Sequence, residues 1–436
     1  MRSPNPTTTG ANRAPTDYGW RLHGQPVGIL KDRSFTLYST AVAPAVTLLQ
    51  PYGDGVASLT SCLQCGACTA RCGLADEANL FPRRQMTLLQ LGQKDDLVAD
   101  PGIWFCFNCG ECSSTCPVNV RPGRIMAGIR QMAVEYYATP RFAAKFLNRP
   151  WYRPLAFLAS IALLLAVTLF GGSFTPRSSP VQFASLLPHR TLNVFFGAVA
   201  ALALLSALCG ATRAWKAFVG EPLFAARPRR FLRAAWAATR EILTHKGANG
   251  RVSAPPSRTG TRAIVAARPR TVLREFLGSA EECQQFPLSR WAHLSILYGF
   301  LTLLALSGLA AILILAGAPY PLPAWHPFKI AANLGAALLI LGCLYFLGER
   351  LRASRQGDPS SWFDWALLMD LLLVSVTGVL TEIFRYAGSA CLAYPTYFAH
   401  LAFVFVLLAG LPHSKLAHVV YRGLALTARQ YRRRVA

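Results

Sequence analysis

The chain has 436 residues, of which 53% are hydrophobic, and a formal net charge of +24 at pH 7. Its apolar residues concentrate after residue 150, which predicts a polar head followed by a membrane domain. Lys and Arg gather beside the apolar segments, as the positive-inside rule expects of cytoplasmic loops, so the charge does not indicate a nucleic-acid-binding protein. No secretory signal peptide is expected, and residues 1–50 are predicted to be a flexible segment.

Two cysteine runs, "CLQCGACTARC" and "CFNCGECSSTC", share the spacing C-x2-C-x2-C-x3-C. This is the spacing of bacterial ferredoxins, in which thiolates hold [4Fe–4S] clusters. Gly66 and Gly110 would allow the tight turn, and the fourth cysteine is expected at the start of a helix. A reducing cytoplasm disfavours disulfides, so the runs predict metal ligation.

The fourth cysteine of each run is expected to ligate the other cluster, as in two-cluster folds. The expected sets are Cys62, Cys65 and Cys68 with Cys116, and Cys106, Cys109 and Cys112 with Cys72. Structural zinc is the alternative, but zinc sites prefer two C-x2-C pairs separated by a longer loop. Pro117 follows the second run as in ferredoxins, whereas Gly73 follows the first.

The rest of the head, residues 51–145, is expected to be helical and ferredoxin-like. One amphipathic helix should open after Pro82, and another should follow the second run over 121–137. The two runs, "FPRRQM" and "DPGIWFCFNCGECSSTCP" resemble the iron–sulfur C subunit of heterodisulfide reductases over roughly residues 50 to 140.

Six later segments are apolar enough for the roughly 20 residues that a membrane-crossing helix needs. They cover about 154–172, 192–212, 291–317, 327–348, 362–384 and 395–417. They divide into a hairpin over 150–213 and a four-helix domain over 289–420. The fold class is therefore mainly α, a two-cluster head on a six-helix transmembrane bundle.

Basic flanks place the head and both termini in the cytoplasm, as in a multi-pass protein of a bacterial inner membrane. The linker over 214–288 is basic and either lies along the lipid headgroups or docks a partner subunit. Residues 421–436 are expected to form a basic cytoplasmic tail.

Histidines in the last four spans are candidate haem ligands, because an ionisable side chain in hydrocarbon is costly and usually functional. His400 and His418 are eighteen residues apart in "HLAFVFVLLAGLPHSKLAH", which on one continuous helix places them on one face about 27 Å apart. His293 is the expected partner of His418 at the cytoplasmic end, and His326 that of His400 at the outer side. Alternatively, His326 is only interfacial and His413 only caps the helix.

The membrane half resembles the cytochrome b family of the nitrate reductase gamma and heterodisulfide reductase E subunits. In that family the last helix carries two haem ligands beside a P-x-S-[KR]-L-x-H ending, which "PHSKLAH" matches. Leu303 stands where the nitrate reductase relative has a further histidine, so one or two haem b groups are expected. The chain thus combines a head like the heterodisulfide reductase C subunit with a cytochrome like the E subunit, and it contains "TGVLTEIFRYAG". This combination resembles the membrane subunit of the quinone-interacting membrane-bound oxidoreductase complex.

This resemblance implies an oxidoreductase subunit that passes electrons between the quinone pool and flavin-containing subunits of the heterodisulfide reductase A type. Haem b and two [4Fe–4S] clusters would carry the electrons, and adenylylsulfate reductase of dissimilatory sulfur metabolism would lie beyond the flavoproteins. No G-x-G-x-x-G fingerprint follows a strand, so the chain itself is not expected to act on a soluble substrate. A related subunit that serves a different soluble reductase or dehydrogenase, and a membrane redox sensor, are the alternatives.

Three more polar residues of the membrane half have a predicted place. Asp370, within the fifth span, is a candidate proton relay or a polar group that packs helices together. Lys329 and Glu382 are expected near the outer surface.

Overall fold

A computed structural model describes residues 54–75, 79–106, 108–171, 181–223, 231–237, 287–318, 322–355 and 360–435. These residues form helices joined by turns and contain no β-strand, so the predicted mainly α fold is confirmed. The predicted flexible segment over 1–50 and most of the predicted basic linker lie outside the described residues.

Five helices build the head, and a sixth leads from it to the membrane half. They are α1 (Ala67–Arg71), α2 (Arg83–Gln90), α3 (Lys94–Ala99), α4 (Glu111–Ser114), α5 (Pro122–Tyr137) and α6 (Arg141–Leu147). Helix α2 opens after Pro82 and α5 follows the second cysteine run, as predicted. Together with a 3-10 helix over Pro101–Trp104, their apolar faces bury Met86, Ile103 and Ile125 in one core.

The membrane half consists of seven helices among the described residues. They are α7 (Tyr152–Gly171), α8 (His189–Val219), α9 (Pro287–Leu315), α10 (Pro327–Arg355), α11 (Trp362–Tyr386), α12 (Ala390–Gly410) and α13 (Ala417–Val435). Helices α9 to α12 pack in sequence, each against the next, and α12 also packs on α7 and α8.

Five stretches are long and apolar enough to cross a membrane: α8, Leu288–Leu315, α10, α11 and Ala390–Arg432, which joins α12 to α13. The first of the six predicted spans corresponds to α7, whose apolar part, Pro154–Phe170, is shorter. A membrane domain is therefore plausible by length and composition, with one span at the lower limit.

Helices α9 and α10 approach closely through glycine. A Cβ atom at Gly299 would lie 2.6 Å from the carbonyl oxygen of Gly335, and one at Gly342 would lie 2.7 Å from that of Ala292. Both distances are shorter than van der Waals contact, so only glycine permits this packing. The contact at Ala292 fixes the position of the adjacent His293.

The prediction that one continuous helix carries His400 and His418 is wrong. Helix α12 ends at Gly410, a 3-10 turn covers Leu411–His413, and α13 starts at Ala417. Proline cannot continue the helical hydrogen bonds, and Pro412 lies in this break. The two histidines therefore belong to different helices, and the single-face spacing of about 27 Å does not apply.

Helix α13 joins the head to the membrane half and includes the predicted basic tail. Its buried face of Ala417, Tyr421, Ala425 and Ala428 belongs to the core cluster of the head. The ring of Tyr421 lies 5.1 Å from that of Trp104, which lies just before the second cysteine run. Helix α8 completes the junction by packing on α13.

Candidate cofactor sites

The two cysteine runs adopt the same backbone conformation. The residue before the second cysteine of each run has a positive φ, 54° at Gln64 and 58° at Asn108. The residue after that cysteine is a glycine with a larger φ, 83° at Gly66 and 84° at Gly110. Positive φ is uncommon for residues other than glycine, so its recurrence at matching positions marks a structural repeat.

The ends of the runs differ from expectation. The third cysteine of each run lies inside the short helix that follows the glycine, α1 or α4. Cys72 is the C-cap of α1, and Cys116 follows the end of α4. The prediction that the fourth cysteine stands at a helix start is therefore wrong, because it follows a helix end.

The structure brings the first expected set together around one cavity. An open pocket is lined by Cys62, Cys65, Cys68 and Cys116. The fourth of these comes from the second run, as the crossed arrangement requires. Arg83 also lines the cavity, so a positive charge stands beside these thiols.

Electrostatic interactions connect the second expected set. The Cys72 thiol interacts with the thiols of Cys106 and Cys109, and Cys112 interacts with all three. A weaker interaction joins Cys72 to Cys68 of its own run. The fourth cysteine of the first run thus lies among the cysteines of the second run.

A surface ion pair connects the two helices that follow the cysteine turns. The Nε atom of Arg71 in α1 lies 2.8 Å from Oε2 of Glu111 in α4. The Arg71 side chain is 60% exposed, so this pair contributes little stability. It does show that the repeats meet at their short helices.

Burial makes three of these thiols hard to ionise. It raises the pKa of the Cys112 thiol to about 11, with a further contribution from Cys106. Burial also raises the pKa values of Cys68 and Cys72. Iron binds the thiolate, so the binding of a cationic cluster must compensate for the cost of ionising these groups.

The cysteine geometry differs from that of a single-ion site. No three His, Cys, Asp or Glu side chains in the described part of the chain converge as closely as one metal ion would require. A tetrahedral zinc site brings four sulfur atoms within about 2.3 Å of one point. Thiols spaced around an open cavity suit the larger [4Fe–4S] cube better.

The structure places His293 and His418 together. His293 lies near the start of α9 and His418 near the start of α13, and their imidazoles interact electrostatically. The Nδ1 atom of His418 lies 2.5 Å from the carbonyl oxygen of Lys415. Because a carbonyl only accepts, Nδ1 carries the proton and Nε2 is available as a metal ligand.

His400 is oriented in the same way by α11. Its Nδ1 lies 3.0 Å from the carbonyl oxygen of Val374 and 3.3 Å from Oγ1 of Thr377. A Cβ atom at Gly378 would lie 3.1 Å from the ring, so glycine makes room for the imidazole at this position. The Nε2 atom of His400 is again the one available to a metal.

The predicted partner of His400 has only local contacts in the described structure. His326 precedes α10, and its Nδ1 accepts a hydrogen bond of 3.2 Å from the backbone N–H of Phe328. None of these contacts connects it to His400, whose neighbours are on α11. Leu303 packs in the apolar cluster between α9 and α10. The pairing of His326 with His400 stays a prediction.

His413 has a structural environment. It is 4% exposed, its carbonyl oxygen accepts a hydrogen bond of 2.9 Å from Nδ2 of Asn148, and its Nε2 lies 3.5 Å from Oγ of Ser206. These contacts connect the break between α12 and α13 to α8 and to the end of α6. They fit the helix-end alternative for this histidine.

The remaining predicted polar residues lie in the bundle. Asp370 is 5% exposed within α11. The Nζ atom of Lys329 forms an ion pair of 2.9 Å with Oε2 of Glu382, which connects the start of α10 to the end of α11. These two residues therefore lie together at the end of the bundle opposite His418.

Sequence reasoning missed a group of charges beside His418. Lys415 Nζ lies 2.5 Å from Oδ1 of Asp364, and Arg350 Nη1 lies 3.9 Å from Oδ2 of the same carboxylate. The three residues are far apart in the chain and come together only when α10, α11 and the 411–416 break meet. Their charges alone gave no signal, because loops beside membrane spans are generally basic.

Comparison with known proteins identifies the head. A family model described as a 4Fe–4S dicluster domain matches residues 58–120, which include all eight cysteines of the two runs. These residues are thus similar to 4Fe–4S dicluster domains. The head is 35% identical over 95 residues to a protein of Archaeoglobus profundus described as similar to the heterodisulfide reductase C subunit, covering 22% of this chain and 50% of that protein.

A second relative supports the same likeness. The C subunit of the ferredoxin:CoB-CoM heterodisulfide reductase of Methanosarcina acetivorans is 40% identical over 77 residues, 18% of this chain and 31% of the relative. The chain thus spans half or less of the length of these two relatives. The resemblance of the dicluster head to the heterodisulfide reductase C subunit is confirmed, and the apolar helices fit its fusion to a membrane domain.

Another relative extends over both halves of the chain. Citrate utilization protein B of Escherichia coli is 27% identical over 406 residues, which cover 88% of this chain and 93% of that protein. No solved structure matches the chain. The likeness to heterodisulfide reductase C subunits is thus confined to the dicluster head, whereas the likeness to citrate utilization protein B extends over both halves.

Proposed function

We propose that this subunit passes electrons between a membrane quinone and a cytoplasmic flavoprotein. The observation that carries this proposal is the meeting of both candidate sites at α13. That helix holds His418, opposite His293, and its Arg422 interacts electrostatically with both imidazoles and with Cys106. One short helix thus joins the membrane half to the dicluster head.

The residues that would hold each group follow from the sites. The two crossed cysteine sets would each hold one [4Fe–4S] cluster, His293 and His418 one haem b, and His400 with His326 a second. When bound, these groups supply one-electron carriers, which suit a path between two-electron partners such as a flavin and a quinone.

The second cysteine set lies nearest the membrane half. The Nη1 atom of Arg130 donates a hydrogen bond of 2.8 Å to the carbonyl oxygen of Cys106, and the guanidinium of Arg429 in α13 lies 4.6 Å from the ring of Phe105. The first contact holds the second run on α5, and the second brings α13 against the residue that precedes Cys106. Electrons would therefore pass between His418 and the dicluster head at the second set.

The first cysteine set would exchange electrons with a soluble partner. Cys65 is exposed, and the neighbouring Leu63, which lines the same cavity, is 69% exposed. We propose that a flavin-containing subunit, such as one of the heterodisulfide reductase A type, docks there.

Two flavoprotein partners are candidates. The predicted resemblance implies coupling to adenylylsulfate reductase in sulfur metabolism. The likeness to citrate utilization protein B covers both halves of the chain and favours the alternative, a different soluble dehydrogenase, acting on citrate or a related organic acid. We favour the second partner, because the likeness to heterodisulfide reductases covers only the head. In that reaction the acid loses two electrons, and the quinone gains two electrons and two protons.

The protons and the location complete the proposal. Asp370, buried in α11, would relay protons to the quinone. The basic flanks of the apolar helices support a bacterial inner membrane as the location, with the dicluster head and both termini in the cytoplasm.

Rapid mixing of the purified full-length protein with a short-chain quinol tests the path. The quinol should reduce the haem first and the clusters afterwards, as followed by visible and EPR spectra. In His418→Leu, dithionite should still reduce the clusters but the quinol should not. His189→Leu, at the start of α8, is the matched control. Cluster reduction by quinol at an unchanged rate in His418→Leu would contradict the proposed path.

The partner is tested separately in membranes that contain the protein. Either adenylylsulfate reductase or citrate utilization flavoproteins are added with their substrates, and quinone reduction is measured. We expect reduction only with the organic-acid system. Reduction only with the sulfur system would overturn the preferred partner and leave the electron path intact.

A further inference from the structure

Four charged residues form a partly buried ionic cluster beside His293 and His418: Arg350, Asp364, Lys415 and Arg422. Lys415 and Arg422 interact electrostatically with both imidazoles. Asp364 connects Lys415, at 2.5 Å, to Arg350, at 3.9 Å. Two cations, Lys415 and Arg350, thus face the single carboxylate of Asp364.

Arg350 is the unusual member of the ionic cluster. Its side chain is 17% exposed, and its Nε and Nη1 atoms are buried without a hydrogen-bond acceptor among the described residues. The oxygens of Asp364 already accept from Lys415 and from Oγ of Ser361, at 3.1 Å. Leaving buried N–H groups of a charged side chain without acceptors is costly, so this guanidinium is arranged for an acceptor that the described residues do not supply.

We propose that the ionic cluster binds the two propionate carboxylates of the haem held by His293 and His418. This inference rests on the proposed function. Lys415 and Arg350 outnumber the one carboxylate that they share, and the Arg350 fork matches a further carboxylate with paired hydrogen bonds. The ionic cluster adjoins both proposed axial ligands, as the edge of a haem between them requires. Arg350 is thus a positioning residue for the haem.

The proposal predicts opposite shifts of the haem midpoint potential in two variants. Arg350→Gln removes a positive charge beside the haem, which favours the oxidised form. Asp364→Asn removes the negative charge and favours the reduced form. Arg350→Lys keeps the charge but loses the fork. Arg352→Gln is the matched control, because Arg352 lies on the same helix but is 76% exposed and forms its ion pair with Glu349, one turn away.

The measurements are the haem content and the redox titration of each purified full-length variant in detergent. In Arg350→Gln we expect the equilibrium constant for haem reduction to fall about tenfold, which lowers the midpoint potential by about 59 mV for one electron. Asp364→Asn should shift it in the other direction, and Arg350→Lys should preserve the potential but release haem faster. The cluster spectrum of the head reports whether each variant has folded.

Each outcome decides the proposal. The propionate site would be overturned if both Arg350→Gln and Asp364→Asn had the midpoint potential and the haem content of the wild type. The assignment of the haem to His293 and His418 would then still stand. A different result would assign the ionic cluster to a lipid headgroup instead. In that case the purified wild type would contain bound lipid phosphate, and Arg350→Gln would lose this phosphate while its haem content and potential stayed unchanged. A wild-type protein without haem would overturn the proposed function and this inference together.

Discussion

Two carbonyl oxygens decide how the candidate haem ligands point. Lys415 and Val374 each accept from Nδ1 of a histidine, His418 and His400 respectively. Each ring therefore has a fixed tautomer, and its Nε2 is the nitrogen that can bind a metal. A hydrogen bond on the far nitrogen raises the basicity of the ligand as well as orienting it. The sequence identifies the histidines, but their partners are backbone atoms that no residue pattern encodes.

At the residue scale, single cysteine substitutions should sort into the crossed sets. Cys72→Ser and Cys106→Ser should lose the same cluster and therefore retain the same EPR signal, because both cysteines lie in the second set. Cys116→Ser and Cys62→Ser should both retain the other signal, because both cysteines lie in the first set. Each variant should hold about four irons instead of about eight. Cys391→Ser, an exposed cysteine of α12, is the control. If Cys72→Ser matched Cys62→Ser instead, each run would hold its own cluster.

The raised pKa of Cys112 predicts a steep pH dependence of its alkylation in cluster-free protein. Burial raises this pKa to about 11, so the reactive thiolate is the minor form at neutral pH. Between pH 7 and pH 9 the thiolate fraction, and hence the rate, should increase about tenfold per pH unit. Mass spectrometry of iodoacetamide-treated protein measures that rate, and a plateau near pH 8 would contradict it.

At the scale of elements, the glycine contacts set the position of His293. Helices α9 and α10 meet at Gly299 and Gly342, where a side chain would clash with backbone atoms. The apolar length of each span was readable from the sequence, but these contacts were not, because hydropathy does not specify which faces meet. The break at 411–416 was also missed, since a proline and a turn lie inside a continuous apolar stretch.

Gly299→Ala should disrupt the α9–α10 contact, since its Cβ would lie 2.6 Å from one backbone atom and 2.8 Å from another. We expect a loss of about 1–3 kcal/mol in the stability of the membrane half, together with a lower haem content. Gly308→Ala is the control on the same helix, because a Cβ there meets nothing within 4 Å. Thermal loss of the haem absorption measures both variants. Equal melting temperatures would contradict the close packing.

At the scale of the whole molecule, the dicluster head and the membrane half share one buried junction. The ring of Tyr137 in the head lies 6.0 Å from that of Phe218 in α8. It lies 5.6 Å from the ring of Tyr421 in α13. The cysteine spacing was enough to predict the head and its crossed sets. The ionic cluster and the position of α13 against the head were not predictable, because they depend on contacts between residues far apart in the chain.

The central claim is that one chain carries two [4Fe–4S] clusters and haem b in contact through α13. Iron and haem content of the purified full-length protein, with the EPR spectrum of the dithionite-reduced state, test it most directly. We predict about eight non-haem irons per chain, spectra of two interacting clusters, and at least one haem b. Bound zinc in place of iron, or a protein with both clusters and no haem, would contradict the account.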